Sequence, residues 1–303
     1  MRIAAIGEIL WDVFADAERL GGAVFNLAAH ARRLGHEVYF ISAVGDDVRG
    51  RAALKRMREL DLATRFVRVV AGRPTGTVSV WLDSDGQPDF TIHRPAAYDF
   101  AALDEVELAD LVAWKPGWLC FGTLHSVHPE ARALTRRLIE ALPGARRFYD
   151  INLRKNNYTA GLVRELMAAA TVVKLNEDEA QQIQQMFGRQ CRDQADFAAR
   201  FAQEFGWEAV AITRGAQGCA IWRRGEWVEA PGYRVQVVDT VGAGDAFAAA
   251  LLHGLDAGWP LDRVADFANR VGALIASRAG AVPEWRLEEC WSLSRGEGRA
   301  TAD

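Results

Sequence analysis

The sequence lacks the features that mark several common protein classes. Its 303 residues contain no uninterrupted run of 18 apolar residues, so no membrane span is expected. The four cysteines include no Cys-x2-Cys pair, which argues against a zinc site and favours reduced thiols in a cytoplasmic protein. A net charge of −4 provides no general basic field, so nucleic acid is not an expected partner. The apolar stretch that opens the chain is too short for a signal peptide.

Three familiar phosphate-binding motifs are also absent. The chain has no Gly-x4-Gly-Lys-Ser/Thr run, which excludes a P-loop. The nearest approach to a dinucleotide-binding fingerprint begins at Gly242, but Phe247 stands where the third glycine belongs. No His-Arg-Asp or Asp-Phe-Gly triplet of a protein kinase occurs. A nucleotide site in this chain would therefore be of another kind.

Short apolar runs alternate with amphipathic stretches along most of the chain. This alternation predicts an α/β fold with a mostly parallel central sheet flanked by helices, and the length suits a single domain over residues 1–303. Strands are predicted at 2–7, 38–43, 118–121, 147–149, 171–175 and 209–213. Helices are predicted at 23–34, 50–60, 129–141, 163–169, 177–187, 193–205, 244–257 and 261–279.

Two segments interrupt the alternation. The β-like runs 66–70, 77–82 and 90–92 have no helix between them, and Asp85-Gly86 marks a turn between the last two, so they are predicted to be antiparallel. We interpret them as part of a small antiparallel β lid, with strands roughly within 9–15 and 64–95. An edge extension of the main sheet is the alternative. The second interruption, residues 218–228, is predicted to be a hairpin that turns at Arg224-Gly225.

The most informative motif is Gly242-Ala243-Gly244-Asp245, between a β-branched segment and a small-residue helix. Glycine permits close approach and unusual backbone angles, and the unpaired N–H groups of a helix N-terminus favour anions. An anion cradle beside one carboxylate suggests phosphoryl transfer to a hydroxyl group. The alternative is a purely structural role, in which this is an ordinary glycine-rich turn and Asp245 only stabilises the start of the helix.

Four further segments are predicted to follow strands at the same edge of the sheet. They are residues 7–12, 21–26, 150–154 and 174–179, and they supply carboxylates, amides, an arginine and bare glycine backbone. Ligands of open α/β sheets bind beyond the carboxyl ends of the strands. This mixture of polar groups suits a polyhydroxylated substrate, which needs many directional hydrogen bonds.

Together these segments closely resemble the ribokinase-like carbohydrate kinase family, and its bacterial fructokinases in particular. The resemblance spans residues 7 to about 283 and is carried by Asp-Thr-Val-Gly-Ala-Gly-Asp-Ala-Phe at 239–247, Gly-Gly-x3-Asn at 21–26, Gly-Glu-x-Leu-Trp-Asp at 7–12 and Asp-x-Asn-x-Arg at 150–154. It implies a ribokinase-like fold and ATP-dependent phosphorylation of a free sugar, most directly fructose to fructose 6-phosphate. It also implies ATP, Mg²⁺ and K⁺ as cofactors and a possible homodimer formed through the lid.

The resemblance implies a role for each matching residue. Asp245 matches the catalytic base, and Gly242, Ala243 and Gly244 match the anion hole. The residues implied on the sugar side are Asp12, Gly22, Asn26, Asn152, Arg154 and, at the end of the lid, His93 and Arg94. Those implied on the nucleotide side are Asn176, Thr213, Gly215 and Asn269, with Glu179 linked indirectly to magnesium. Those implied for potassium are Asp239 and the backbone near Ala276 and Gly280.

Two residues qualify these implications. Phe25 lies near the predicted sugar site; we expect it to be a core residue, but in the pocket it would narrow the substrate range and put fructose in doubt. Asp245 lies near a helix N-terminus, which is expected to make it a weaker base. The open alternatives are a kinase for ribose or 2-keto-3-deoxygluconate and a non-catalytic sugar-binding regulator. A regulator would be expected to have a damaged Gly-Ala-Gly-Asp turn, and here the turn is intact.

Overall fold

A computed structural model describes residues 1–82 and 88–294 of the chain. The predicted turn at Asp85-Gly86 and the end of the chain from residue 295 lie outside the described residues. Within the described residues the strands are β1 (Arg2–Ile6), β2 (Leu10–Val13), β3 (Glu18–Gly21), β4 (Glu37–Gly45), β5 (Val67–Val70), β6 (Gly76–Leu82), β7 (Pro88–His93), β8 (Trp118–Gly122), β9 (Arg146–Asp150), β10 (Val172–Asn176), β11 (Ala209–Thr213), β12 (Cys219–Arg223) and β13 (Glu226–Ala230). The helices there are α1 (Ala23–Arg33), α2 (Val48–Glu59), α3 (Glu105–Trp114), α4 (Pro129–Ala141), α5 (Ala160–Ala169), α6 (Glu177–Met186), α7 (Gln194–Phe205), α8 (Ala243–Asp256), α9 (Leu261–Ala276) and α10 (Leu287–Ser292).

The large sheet confirms the predicted mostly parallel α/β architecture. Its strand order is β13-β12-β11-β10-β9-β8-β1-β4-β5, and only the pairs β11–β12 and β12–β13 are antiparallel. β1 lies between β8 and β4, so that Ile3 pairs with Trp118 on one side and Val38 on the other. The predicted hairpin at 218–228 is confirmed as β12 and β13, with Arg224 and Gly225 at positive φ in its turn.

Helices cover both faces of this sheet. Neighbouring residues of a strand point to opposite faces, and both Ile3 and Ala4 of β1 are fully buried. Ile3 belongs to the core cluster beneath α1, α8 and α9, whereas Ala4 belongs to the cluster beneath α4 to α7. Burial on both faces explains why these strands are short continuous apolar runs in the sequence.

The small sheet has the order β3-β2-β6-β7. β2, β6 and β7 lie within the ranges predicted for the lid, whereas β3 does not. The predicted antiparallel pairing of the runs 77–82 and 90–92 is confirmed in β6 and β7. The assignment of 66–70 to the lid was wrong, because β5 pairs in parallel with β4 at the edge of the large sheet. Helix α2 lies between β4 and β5, and such a crossover gives parallel pairing.

Three elements were not predicted from the sequence. β3 is a short, mostly exposed strand that pairs with β2, so it has no apolar run to indicate it. α3 contributes one fully buried side chain, Leu111, and α10 contributes Cys290, so neither has a strong apolar stripe. In the described part of the chain, no helix is both long and apolar enough to cross a bilayer.

Candidate active site

The polar segments that the sequence singled out meet beyond the carboxyl ends of the parallel strands. Asp150 ends β9, Asn176 ends β10 and Thr213 ends β11. The small sheet brings Asp12 to the same region, and α8 begins there at Ala243. The predicted clustering at one edge of the sheet is therefore what the topology produces.

The glycine turn forms the start of α8. Gly242 is the N-cap residue with φ of +80°, and no side chain of the described residues caps the helix. The first N–H groups of a helix have no intrahelical partner, so those at this end are available to an anion. A Cβ on Gly242 would lie 2.4 Å from the carbonyl oxygen of Ala281, which explains why glycine is required here.

We expect Gly242→Ala to reduce kcat strongly, because the turn must move away from Ala281 and the cradle would move with it. Gly258 is a matched control at the other end of α8: its φ is +67° and a Cβ there would meet nothing within 4 Å. Both substitutions impose backbone strain, which lowers the free energy of unfolding by about 1–3 kcal/mol. Loss of activity in Gly242→Ala but not in Gly258→Ala would locate the effect in the cradle, whereas equal activities would argue against it.

Asp245 lies in the first turn of α8, and a side chain of α1 binds its carboxylate. The amide nitrogen Nδ2 of Asn26 on α1 donates to Oδ2 of Asp245 at 2.8 Å. Burial raises the pKa of Asp245 to about 7, against the opposing charge of Lys174 and together with the like charge of Asp150. The expectation of a weakened base was wrong, since removal from water outweighs the helix N-terminus. A carboxylate with a pKa near 7 is well suited to accept a proton at neutral pH.

A buried ion pair lies directly beneath the cradle. Nζ of Lys174 donates to both carboxylate oxygens of Asp150, at 3.1 and 3.0 Å. The same nitrogen would lie 3.2 Å from a Cβ on Gly244, so the cation contacts the backbone of the turn. Desolvation acts to lower the pKa of Lys174, but the surrounding carboxylates, Asp150 first, raise it, so the side chain is charged. The sequence signal was a lysine within the apolar strand β10, and its importance was missed.

Further polar groups near Asp245 include two buried atoms without a hydrogen-bond partner among the described residues. Oδ1 of Asn26 is buried and has no hydrogen-bond partner among the described residues. Oε2 of Glu8 is in the same situation, while its Oε1 accepts from the N–H of Ala23 at 2.8 Å. Burial raises the pKa of Asp12 to about 6, against the charges of Arg154 and Arg19. Glu8 lies in the Gly-Glu-x-Leu-Trp-Asp motif but had no predicted role, and its unpartnered oxygen adds it to the site.

Glycine allows the start of α1 to lie close to the backbone of Glu8. Gly22 is the N-cap of α1 at φ +127°, and a Cβ on it would lie 2.2 Å from the carbonyl oxygen of Glu8. Phe25 is buried in the core, where its ring centroid lies 5.6 Å from that of Phe40 in an edge-to-face arrangement. The prediction that Phe25 is a core residue is confirmed.

The remaining residues that were predicted to contact a sugar differ in how many protein partners they have. Arg94 donates to the carbonyl oxygen of Leu124 at 2.7 Å and pairs with the buried Asp99, so it anchors the end of β7. Asn152 adopts a left-handed conformation with φ of +39° directly after β9. Arg154 is exposed and forms no ion pair with a described residue; its guanidinium lies 6.0 Å from the ring centroid of Phe90 on β7. Of the two arginines, Arg154 is the one available to a ligand.

The residues predicted for the nucleotide side lie near the ends of strands or form hydrogen bonds there. Asn176 and Glu179 form a capping box at the start of α6, and Oε1 of Glu179 also accepts from the N–H of Leu153 at 2.8 Å. Thr213 is the last residue of β11, and Gly215 begins the short helical turn that comes after it. Asn269 is buried on α9 and donates to the carbonyl oxygen of Ala230 at 3.1 Å.

The residues implied for potassium are already engaged. Oδ1 of Asp239 accepts from the N–H of Val241 at 3.0 Å, and Oδ2 accepts from the N–H of Gly280 at 3.0 Å and from Arg19 at 2.6 Å. The carbonyl oxygen of Ala276 accepts two N–H groups, including that of Asp239 at 3.2 Å. Since K⁺ is held by oxygen atoms that replace its hydration shell, this set of N–H donors and a guanidinium does not fit it.

His30 supports the cradle from behind and was not singled out in the sequence. It lies one turn after Asn26 on α1 and is fully buried. Its Nδ1 accepts from the indole N–H of Trp285 at 3.1 Å, so Nε2 carries the proton and donates to the carbonyl oxygen of Ala281 at 2.9 Å. Burial lowers the pKa of His30 to about 4, so the ring is neutral at pH 7. Since Ala281 packs against Gly242, α1 fixes both the cradle and the carboxylate of Asp245.

This α/β sheet brings together an anion cradle, a partly buried carboxylate and buried polar atoms without a partner among the described residues. That is the architecture of a phosphotransferase that acts on a small hydroxylated molecule. The comparisons with known proteins agree with this class. The family model for pfkB family carbohydrate kinases matches residues 6–286. The chain therefore belongs to the pfkB family of carbohydrate kinases.

Three relatives illustrate the similarity. A fructokinase of Escherichia coli is 31% identical over 301 residues, covering 93% of this chain and 95% of that protein. The structure of an uncharacterized sugar kinase from Pyrococcus horikoshii in complex with ATP is 27% identical, with a TM-score of 0.81 and coverage of 95% and 96% of the two chains. A fructokinase double mutant from Vibrio cholerae O395, with fructose, ADP and potassium bound, is 25% identical, with a TM-score of 0.78 and coverage of 93% and 94%.

Proposed function

We propose that this carbohydrate kinase transfers the γ-phosphoryl group of ATP to a primary hydroxyl of a free sugar, most directly converting fructose to fructose 6-phosphate. The observation that carries the proposal is the carboxylate of Asp245, with a pKa of about 7, held by Asn26 at the mouth of the helix cradle. A base and an anion-binding helix end in one turn can orient a hydroxyl and a phosphoryl group toward each other. Phosphoryl transfer depends mainly on such positioning and on charge stabilisation.

The sugar would bind between the small sheet and α1. Oδ1 of Asn26 and Oε2 of Glu8 are buried and need hydrogen-bond partners, and the hydroxyl groups of a sugar can serve both atoms because a hydroxyl both donates and accepts. Asp12 on β2 would accept from a further hydroxyl. Asn26 then contacts the sugar through Oδ1 while its Nδ2 holds Asp245, so one side chain orients both the base and its substrate.

The nucleotide would approach from the side of β10 and β11. Its phosphates would bind the N–H groups at the start of α8, with the charged Lys174 beneath them. No group of three or more His, Cys, Asp or Glu residues in the described chain is arranged to hold a metal ion. This fits Mg²⁺, which proteins of this kind bind largely through substrate phosphates and water, where it neutralises phosphate charge. Glu179, whose oxygens accept backbone N–H groups, holds the adjacent loops in place.

Fructose is favoured by the relatives, and one observation favours a second candidate. The fructokinase of Escherichia coli matches almost the whole chain. The exposed Arg154, which lacks an ion-pair partner among the described residues, could instead bind the carboxylate of a sugar acid such as 2-keto-3-deoxygluconate.

A panel of free sugars tests this choice. Initial rates with ATP and Mg²⁺ should give the highest kcat/KM for fructose, above ribose and 2-keto-3-deoxygluconate. Arg154→Gln serves as the discriminating variant: if a sugar acid is the substrate, its KM should rise by about tenfold or more through loss of a charge-assisted contact. A sugar acid preferred by the wild type and rejected by Arg154→Gln would replace fructose in the proposal. Absence of phosphorylation of every sugar would contradict the kinase assignment itself.

A further inference from the structure

An arginine from the small sheet reaches across the site to the loop before the cradle. Arg19 lies on β3, directly opposite Asp12 on β2, so the two side chains share one face of the small sheet. Its guanidinium donates to Oδ2 of Asp239 at 2.6 Å, although the two residues are 220 positions apart in the chain. No prediction from the sequence involved Arg19.

Asp239 is placed where its charge matters. Its Oδ1 accepts the N–H of Val241, which precedes the N-cap Gly242 of α8. The side chain is 13% exposed, so water screens its negative charge only partly. An uncompensated carboxylate beside the cradle would repel the phosphates that the cradle binds, and this repulsion would grow as charge develops during transfer. A positive charge beside Asp239 therefore favours the reaction.

In the described structure this positive charge comes from the protein. Arg19 contributes one full charge, and the N–H groups of Gly280 and Val241 complete the environment of the carboxylate. Both carboxylate oxygens of Asp239 therefore already accept hydrogen bonds from groups of the protein. The guanidinium is always charged at neutral pH, so its contribution does not depend on the ionic composition of the medium.

We propose that Arg19 takes the place of a monovalent cation at Asp239, so that this kinase does not need K⁺ for activity. This inference rests on the proposed function for its activity measurement, but its binding measurement stands alone. It distinguishes the chain from the Vibrio cholerae fructokinase that was crystallised with potassium.

The ion pair can be removed without unfolding the protein. Arg19 is 45% exposed, and Asp239 keeps the N–H groups of Val241 and Gly280 as partners when the guanidinium is removed, so the variant is expected to fold. Arg19→Gln removes the charge, whereas Arg19→Lys keeps it. Arg49→Gln is the matched control, because it breaks the neighbouring ion pair between Arg49 and Glu18 of the same strand, at 2.6 Å, without touching Asp239.

The first measurement is the initial rate with Tris salts of ATP, with ionic strength held constant by tetramethylammonium chloride or KCl. We expect the wild type, Arg19→Lys and Arg49→Gln to show equal rates in both salts. Arg19→Gln should lose about tenfold in tetramethylammonium chloride and regain most of it in KCl. Activation of the wild type by K⁺ would overturn the proposal. So would an Arg19→Gln enzyme that is equally active in both salts, or one that stays impaired in KCl.

The second measurement is the melting temperature of the ligand-free protein in the same salts. K⁺ should raise it only for Arg19→Gln, since only that variant exposes Asp239 to a small cation. Stabilisation of the wild type by K⁺, or of no protein, would contradict the proposal. This measurement remains decisive if no sugar is phosphorylated, in which case the proposed function fails separately.

Discussion

Asp245→Asn is expected to lower kcat about a thousandfold while the affinity for the sugar stays close to that of the wild type. Asparagine is nearly isosteric with aspartate, and its amide oxygen can still accept the hydrogen bond from Asn26. It cannot accept a proton from the sugar hydroxyl. The measurement is a steady-state comparison of kcat and KM, with sugar binding followed by calorimetry. Full activity of the variant would show that Asp245 is not the base.

The pH dependence makes this prediction sharper. Burial raises the pKa of Asp245 to about 7, so the wild-type kcat/KM should rise with pH and level off above that value. The residual activity of Asp245→Asn should not show this rise with pH. A group with a raised folded-state pKa contributes stability that is lost as pH rises through that pKa. The variant should therefore melt at a higher temperature than the wild type above pH 7, and a lower melting temperature there would contradict the assigned burial.

The second large effect is expected at the buried cation. Lys174→Met should reduce kcat/KM for ATP about a hundredfold, because it removes the positive charge that contacts the backbone at Gly244. It should also move the acid limb of the pH profile upward, since Lys174 lowers the pKa of Asp245. The measurement is the pH profile of kcat/KM for ATP. The substitution leaves Asp150 as an unpaired buried carboxylate, which costs about 3–5 kcal/mol of unfolding free energy.

A double variant separates stability from catalysis. Lys174→Met combined with Asp150→Leu removes both buried charges, so its unfolding free energy should return close to that of the wild type. Its activity should remain low, because the charge beneath the cradle is still missing. If the double variant instead recovers wild-type activity, Lys174 serves only to neutralise Asp150. If it stays unstable, the ion pair contributes to folding more than buried pairs usually do.

The parts of this molecule that local sequence pattern controls could be predicted. The buried parallel strands are short apolar runs, and the predicted 209–213 coincides with β11 as observed. β5 was misassigned because its partner is decided by the helix that precedes it, and not by the strands that follow it. β3 has no apolar pattern, since its main contribution is polar side chains at the edge of the small sheet.

The candidate site likewise has residues that the sequence could predict and properties that it could not. Asp245 and Asn26 stand in distinctive motifs, so the sequence alone is enough to identify them. Their charge states could not be predicted in this way, because the pKa of Asp245 depends on burial and on Lys174 and Asp150 from other strands. Likewise, His30 and Arg19 act through partners more than 200 positions away, and no local pattern indicates such pairs.

The contact between α1 and α8 has a consequence for how the protein becomes active during synthesis. Asn26 belongs to one of the first helices made, yet Asp245 is 219 residues further along. β1 likewise needs β8 to complete its central position in the sheet. Long-range contacts of this kind slow folding, and the emerging chain exposes unpaired strand edges until they form. A chain that ends before α8 contains all nine strands of the large sheet but lacks Asp245, so the proposed base is added only in the final part of translation.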